Sequence, residues 1–322
     1  MEQKTVSELF SLLDNRMSVL DYNFEHFTRD VLVNEIKQSR KPSSLKPGYP
    51  APDFDLEDTD GKQITLSKTK GKPVLLHFFS FTCPVSMGSL APLKLLHTMW
   101  GEKVQFLSIL IRQAHPGDAC PSYSTYEQKM ADAKKNRETE VIPWPVLCDD
   151  LEGKTHQVYS SLSNPTFLID KYGRIAFINA FTHVPTLNGA IKKLMDQDGV
   201  CVVNNGIDRF PHFLASLVNG WPAIERGLPK SAIDLDSAVP GFSSKLRLFY
   251  SLKPKLDPIA LRTEPFPPAL KIGAASFAIL LLLRLIHPTV YEERIIEVPV
   301  EKKATLKNKK DLKTEPKKCF WK

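Results

Sequence analysis

The chain has 322 residues, enough for one large domain or two ordinary ones with real cores. Its net charge of +7 is concentrated in residues 301–322, where nine lysines face Glu301, Asp311 and Glu315, so a basic nucleic-acid-binding face across the whole protein is excluded. The five cysteines (Cys83, Cys120, Cys148, Cys201 and Cys319) form no CxxC pair and no Cys/His spacing suited to zinc, which argues against a disulfide framework or a structural metal and for a reducing compartment.

Residues 1–45 form an N-terminal helical segment, with apolar positions at helical spacing (Val6, Leu9, Phe10, Leu13, then Leu20, Phe24, Phe27, Val31). One or two amphipathic helices are predicted, as packing material. Acidic residues interrupt the first twenty positions where a secretory signal needs an unbroken apolar core, so export is not expected. "KPSSLKPGYPAPDFDLEDTDGKQITL" reads as a Pro-rich linker entering a short hairpin, with "DTDGK" as its turn.

From 73 to about 196, strand and helix patterns alternate. Residues 73–81 read as a strand, 84–100 as a helix ending near Gly101, 104–111 as a second buried strand, and 123–137 as a helix with a Ser124/Glu127 capping box. A short helix near 152–162 precedes "TFLID" and "RIAFINAF", which "DKYGR" joins into a hairpin, and "TLNGAIKKLMDQDG" closes the unit as a helix. Parallel strands joined through helices, then an antiparallel hairpin and a last helix, describe an α/β fold: a thioredoxin-like three-layer sandwich over 46–198. Residues 199–270 form a Pro-rich extension with short helices. Residues 271–288 hold twelve uncharged positions from Ile272 to Leu283 before Arg284, short of the ~20 that usually span a bilayer, and read as a membrane anchor or a buried apolar helix. With that anchor, the catalytic domain would lie in the cytoplasm beside the Lys-rich tail, 289–322.

Cys83 carries the chemistry of this pattern. It follows the strand "KPVLLHFFSF" and precedes Pro84, which suits the first position of a helix. There the unpaired N–H groups and the helix dipole favour the thiolate, the reactive form; a buried structural cysteine is the plainer alternative. Position 86 is serine, which argues against dithiol exchange through a CxxC.

"SFTCPVS", "SNPTFLIDKYGRI" and "APDFDLEDTDGKQITL" together resemble the thioredoxin, peroxiredoxin and redoxin superfamily over roughly 48–196. That resemblance implies a cis peptide bond before Pro165, facing the sulfur and pairing with substrate, although Asn164-Pro165 also reads as an ordinary turn. Within the superfamily, Ser80, Thr82, Cys83 and Pro84 are similar to the active segment of iodothyronine deiodinases, with cysteine for selenocysteine, and His115, Pro116 and Asp118 match that family's second segment. The departures are Gln113 for Glu, Ala119-Cys120 for Gly-Trp, and Phe81 for a cysteine. The resemblance implies Cys83 as nucleophile and His115 as proton donor, with Ser80 and Thr82 beside them. Pro165, Asn164 and Gln113 are candidate substrate-binding residues and Cys120 a candidate resolving thiol.

The expected activity is reductive dehalogenation of iodinated aromatic substrates, with an external thiol such as thioredoxin or glutathione as reductant. No metal or other cofactor is expected; the partners are a small-molecule substrate and the reductant, with membrane association through 271–288 and a homodimer left open. Two alternatives stand beside it: a one-cysteine thiol peroxidase, for which Arg112 and Arg174 are candidate peroxide-holding arginines, and a non-enzymatic redoxin scaffold.

Overall fold

A computed structural model describes residues 2–40, 45–203, 206–209 and 212–266. The N-terminal segment forms three helices rather than one or two: α1 (Val6–Ser11), α2 (Val19–Tyr22) and α3 (Arg29–Arg40). Local caps break the run. Thr5 and Glu8 form a capping box on α1, Ser18 accepts the Asp21 N–H at the start of α2, and Thr28 accepts the Val31 N–H at the start of α3. The hairpin of β1 (Asp55–Glu57) and β2 (Gln63–Thr65) turns where the Asp58 carboxylate accepts the N–H groups of Asp60 and Lys62.

The central unit runs β3 (Val74–Phe79), α4 (Pro84–Trp100), β4 (Gln105–Leu110), α5 (Tyr126–Thr139), β5 (Val146–Cys148), α6 (Lys154–Tyr159), β6 (Thr166–Ile169), β7 (Ile175–Asn179), α7 (Val184–Asp196) and β8 (Ile207–Asp208). The sheet order is β5-β4-β3-β6-β7-β8, with β3, β4 and β5 parallel and β6 antiparallel to both β3 and β7. This is a thioredoxin-like α/β sandwich. The cap of α5 is Thr125, which accepts the Gln128 N–H, and Ser124 bonds Gln128 instead of forming the expected box with Glu127.

Period-2 alternation sends side chains to two cores. Leu75, Phe79, Phe106 and Leu110 face the core that also holds Leu93 of α4 and Leu187 of α7, while Leu76, Phe78, Leu107 and Ile109 face the one with Val6 of α1 and Tyr159 of α6. Each fully buried Leu, Ile or Phe contributes about 1.5–3 kcal/mol of transfer free energy, so the sheet is the rigid part of the molecule.

The extension after the sandwich is helical: α8 (Phe213–Asn219), α9 (Trp221–Glu225), α10 (Lys230–Ala238), α11 (Phe242–Ser251) and α12 (Lys253–Ala260). Helix α8 lies against α4 so closely that a Cβ on Gly88 would strike the backbone of Ala215 and Ser216. Only glycine fits there.

No helix among the described residues is long and apolar enough to cross a membrane, which corrects the expected anchor and the localisation built on it. Residues 271–288, on which that expectation rested, lie outside the described residues, as do the Lys-rich tail and Cys319.

Candidate active site

Strands β3 and β4 run parallel in register from Val74↔Gln105 to Phe79↔Leu110, so segments 80–83 and 111–115 leave the same edge of the sheet. Side chains join them. The Ser80 hydroxyl accepts the Ala114 N–H (2.8 Å), and the Thr82 hydroxyl accepts the His115 N–H (3.0 Å) while donating to Gln113 Oε1 (2.9 Å). Ser80 and Thr82 are fully buried, and these bonds turn both hydroxyls toward the neighbouring loop.

Cys83 is the residue that caps α4, with Pro84 at the first helical position. Its sulfur lies 3.7 Å from Ser163 Oγ, and only 2% of the residue is exposed. Ser86, where a disulfide reductase would carry its second cysteine, accepts the Ser80 N–H and donates to the Ser163 carbonyl, bracing the loop against the start of β6. Burial pushes the Cys83 thiol up; hydrogen bonding from the Ser86 backbone pulls it down, and the Glu35 carboxylate of α3 pushes it up again. The thiolate expected from the helix start is therefore not favoured in this conformation: desolvation outweighs the backbone N–H groups.

His115 is 7% exposed, and burial lowers its imidazole to about 3. Its ring packs on Phe27 with centroids 4.1 Å apart, and Nδ1 is buried with no hydrogen-bond partner among the described residues. The imidazole is thus neutral near pH 7 in this conformation.

Gln113 bridges two groups, accepting from Thr82 and donating through Nε2 to Asp132 Oδ2 at 3.0 Å. Only a carboxamide can do both. A glutamate there would face the Asp132 carboxylate, so Gln113→Glu is expected to lower stability by about 2 kcal/mol or more at neutral pH, measured by urea unfolding, with part of the loss recovered in Gln113→Glu/Asp132→Asn.

Asn164 is fully buried and its amide is fully engaged: Oδ1 with His77 Nε2 (2.8 Å) and the Thr182 hydroxyl, Nδ2 with the Val85 carbonyl and Ser89. The peptide bond before Pro165 is trans; among the described residues the cis bond is Leu228–Pro229. The backbone here continues into β6, with the Pro165 carbonyl accepting the Phe78 N–H and the Asn164 carbonyl accepting the Thr182 N–H. Neither carbonyl faces the sulfur as a free acceptor, as the expected cis geometry would have required. Pro165 does line a cavity of about 510 Å³, together with Leu13, Met17, Gln38, Leu162 and Arg209.

Cys120 is buried beside Asp132, and its thiol is pushed up by that burial and by the carboxylate. Cys83, Cys120, Cys148 and Cys201 are all free thiols. Of the two candidate arginines, Arg174 lies in the turn between β6 and β7, at the end of β6 remote from Pro165, whereas Arg112 leaves β4 at the site edge. Arg112 is buried, with Nη2 3.6 Å from Glu35 and its guanidinium over the rings of Tyr22 and Phe24.

The N-terminal segment is therefore more than packing material. Tyr22, Phe24, Phe27 and Glu35 cover the edge that carries Cys83, and Phe27 is held by a bond from its N–H to Asp234 of α10. Sequence reasoning missed Glu35, Phe27 and Ser163. Ser163 was within reach, since it adjoins the Asn-Pro pair; the other two contact the site across more than fifty positions, for which a single sequence carries no signal. Among the described residues no cluster of His, Cys, Asp or Glu is arranged to hold a metal ion.

Residues 47–178 match the model of the AhpC/TSA family, and this central unit has a thioredoxin-like fold. The chain is 25% identical over 160 residues to the thioredoxin-like protein YneN of Bacillus subtilis, a match that covers 49% of this chain and 82% of that protein. Similar solved structures include a thiol-disulfide oxidoreductase from Bacteroides fragilis (20% identity, 45% of this chain and 98% of that one, TM-score 0.36). Another is the thioredoxin domain of a thiol-disulfide oxidoreductase from Bacteroides vulgatus (18% identity, 49% and 100%, TM-score 0.36).

Proposed function

We propose that this protein is a single-thiol redoxin that reduces a peroxide at Cys83 and is regenerated by an external thiol. The observation that carries this reading is the placement of Cys83 at the start of α4 with Ser86, not cysteine, locked between Ser80 and Ser163. One sulfur is available at that corner, so the enzyme-bound product must be a sulfenic acid or a mixed disulfide. The Cys83 thiolate attacks the terminal peroxide oxygen, the O–O bond breaks, and the alcohol or water leaves with a proton. A first external thiol then displaces water to give a mixed disulfide, and a second restores Cys83 and departs as the external disulfide.

The buried thiol defines a closed form. Movement of the segment from Tyr22 to Glu35 would open a path to the sulfur and remove the carboxylate that disfavours its ionisation. Glu35→Gln is expected to raise the rate of Cys83 alkylation at pH 8 about threefold, the effect of roughly half a pKa unit, read by site-resolved mass spectrometry. An unchanged or slower rate would remove Glu35 from this account.

A second reading, dehalogenation of an iodinated aromatic, is favoured by the stapling of the 80–84 and 113–118 segments, which carry the deiodinase-like residues. There Cys83 would take iodine as a sulfenyl iodide while the aromatic carbon takes a proton, and an external thiol would release iodide. The test is peroxide consumption and iodide release from an iodothyronine, each with dithiothreitol and the full-length chain. Peroxide consumption alone supports the first reading, and iodide release without it supports the second.

A further inference from the structure

Arg226 caps the C-terminal end of helix α9, and its guanidinium reaches into the thioredoxin-like unit. One arm donates to the Phe81 carbonyl (2.8 Å) and contacts Met87 Sδ, the other pairs with Glu140, and Cζ lies over the Phe81 ring, 4.2 Å from its centroid. Phe81 stands two residues before Cys83 and Met87 four after it, so one side chain grips both flanks of the corner. Its partner Glu140 caps α5, and the Glu140 carbonyl accepts from Lys94 of α4 at 2.7 Å, which ties the same cluster to the helix that Cys83 starts. Lys135 also lies over the Phe81 ring, at 6.0 Å.

The residues just after Arg226 hold the second loop. Gly227 accepts the Asp118 N–H, Asp118 accepts the Lys230 N–H, and a Cβ on Gly117 would collide with the Gly227 backbone. The short run from Arg226 to Lys230 thus fixes both segments that leave the sheet edge. The family match ends at residue 178, well before this run begins.

We propose that Arg226 is a positioning residue for Cys83: acting through the carbonyl and ring of Phe81, it sets the turn that presents the thiol and makes the C-terminal helices part of the active centre. The proposal rests on Cys83 being the reacting thiol. Arginine is required because a planar fork serves the carbonyl, the carboxylate and the ring at once, which a lysine ammonium cannot do.

The test uses full-length Arg226→Ala and Arg226→Lys, with turnover of hydrogen peroxide by dithiothreitol read beside site-resolved iodoacetamide alkylation of Cys83 and Cys148. Cys148 is buried in the main core and reports general loosening. For Arg226→Ala, turnover is expected to fall about tenfold or more and Cys83 alkylation to rise about fivefold, with Cys148 unchanged; Arg226→Lys should regain about a third of the wild-type turnover. Turnover and Cys83 alkylation both within about twofold of wild type would overturn the proposal, as would a joint rise of Cys83 and Cys148. If Arg226→Ala does not fold, Arg226→Lys decides: a partial loss of turnover at unchanged Cys148 supports the proposal, and full activity refutes it. Should the wild-type chain consume no peroxide, the alkylation arm still decides the role of Arg226, and only the peroxidase reading falls.

Discussion

Replacing Cys83 with serine is expected to reduce thiol-dependent turnover by about a thousandfold or more while leaving the fold intact. A serine hydroxyl is close to isosteric, can bond Ser163 in place of the sulfur, and keeps the residue's backbone role at the start of α4. What it lacks is the chemistry: an alcohol does not ionise near neutral pH and forms no stable bond to a peroxide oxygen or a second sulfur. The controls are Cys148→Ser and Cys120→Ser. Burial pushes the Cys148 thiol up to about 12, and that residue sits in the core, so its loss should leave turnover within about twofold. Cys120→Ser should stay within about threefold when dithiothreitol is in excess, because Cys120 is a free thiol in this structure and the external thiol does the resolving. Peroxide kinetics with thermal unfolding of each variant check the prediction; turnover retained in Cys83→Ser would remove the sulfur from the reaction.

The second large effect is acid lability. Burial lowers His77 to about 4, His115 to about 3 and His212 to about 4, and His156 well below its ordinary value. Between pH 6.5 and about 4 the unfolded chain binds protons at these positions and the folded chain does not, so stability falls as pH falls through that window. Each histidine contributes a slope approaching 1.4 kcal/mol per pH unit there, opposed by Glu35, Asp132 and Asp149, whose carboxyls burial pushes up. His115→Phe isolates one of these terms. Phenylalanine suits the contact with Phe27 and loses no hydrogen bond from Nδ1, so the variant should lose less stability than wild type between pH 7 and 5, by about 2 kcal/mol in urea unfolding. An identical pH slope in both proteins would mean that His115 ionises in the folded state.

The sandwich was legible because its signals are local. Apolar runs became β3 and β4, helix α4 starts at Pro84 and ends before Gly101, and Asp170 accepts the Tyr172 and Arg174 N–H groups in the turn read from "DKYGR". Parallel pairing of β3 and β4 then brings Cys83 and His115 to one edge, as the alternation of strand and helix implies. The ionisation states were not legible. The start of α4 argued for a thiolate, but Tyr22, Phe27 and Glu35 fold back over the edge from far upstream and burial reverses the balance. The role of residues 212–266 was equally hidden, because Arg226 meets Phe81 across 145 positions and nothing in "AIERGLPK" marks it as an active-site neighbour. Pro165 shows the limit of resemblance: its carbonyl serves the β3–β6 ladder, and the bond before it is trans.

The most direct test of the central claim is site-resolved mass spectrometry after brief exposure of the reduced, full-length protein to one equivalent of hydrogen peroxide, followed by glutathione. The account predicts that Cys83 carries the sulfenic acid and then the glutathione mixed disulfide about tenfold faster than Cys120, Cys148 or Cys201, and that dithiothreitol reverses the modification. Oxidation of Cys83 no faster than that of Cys148 would contradict it.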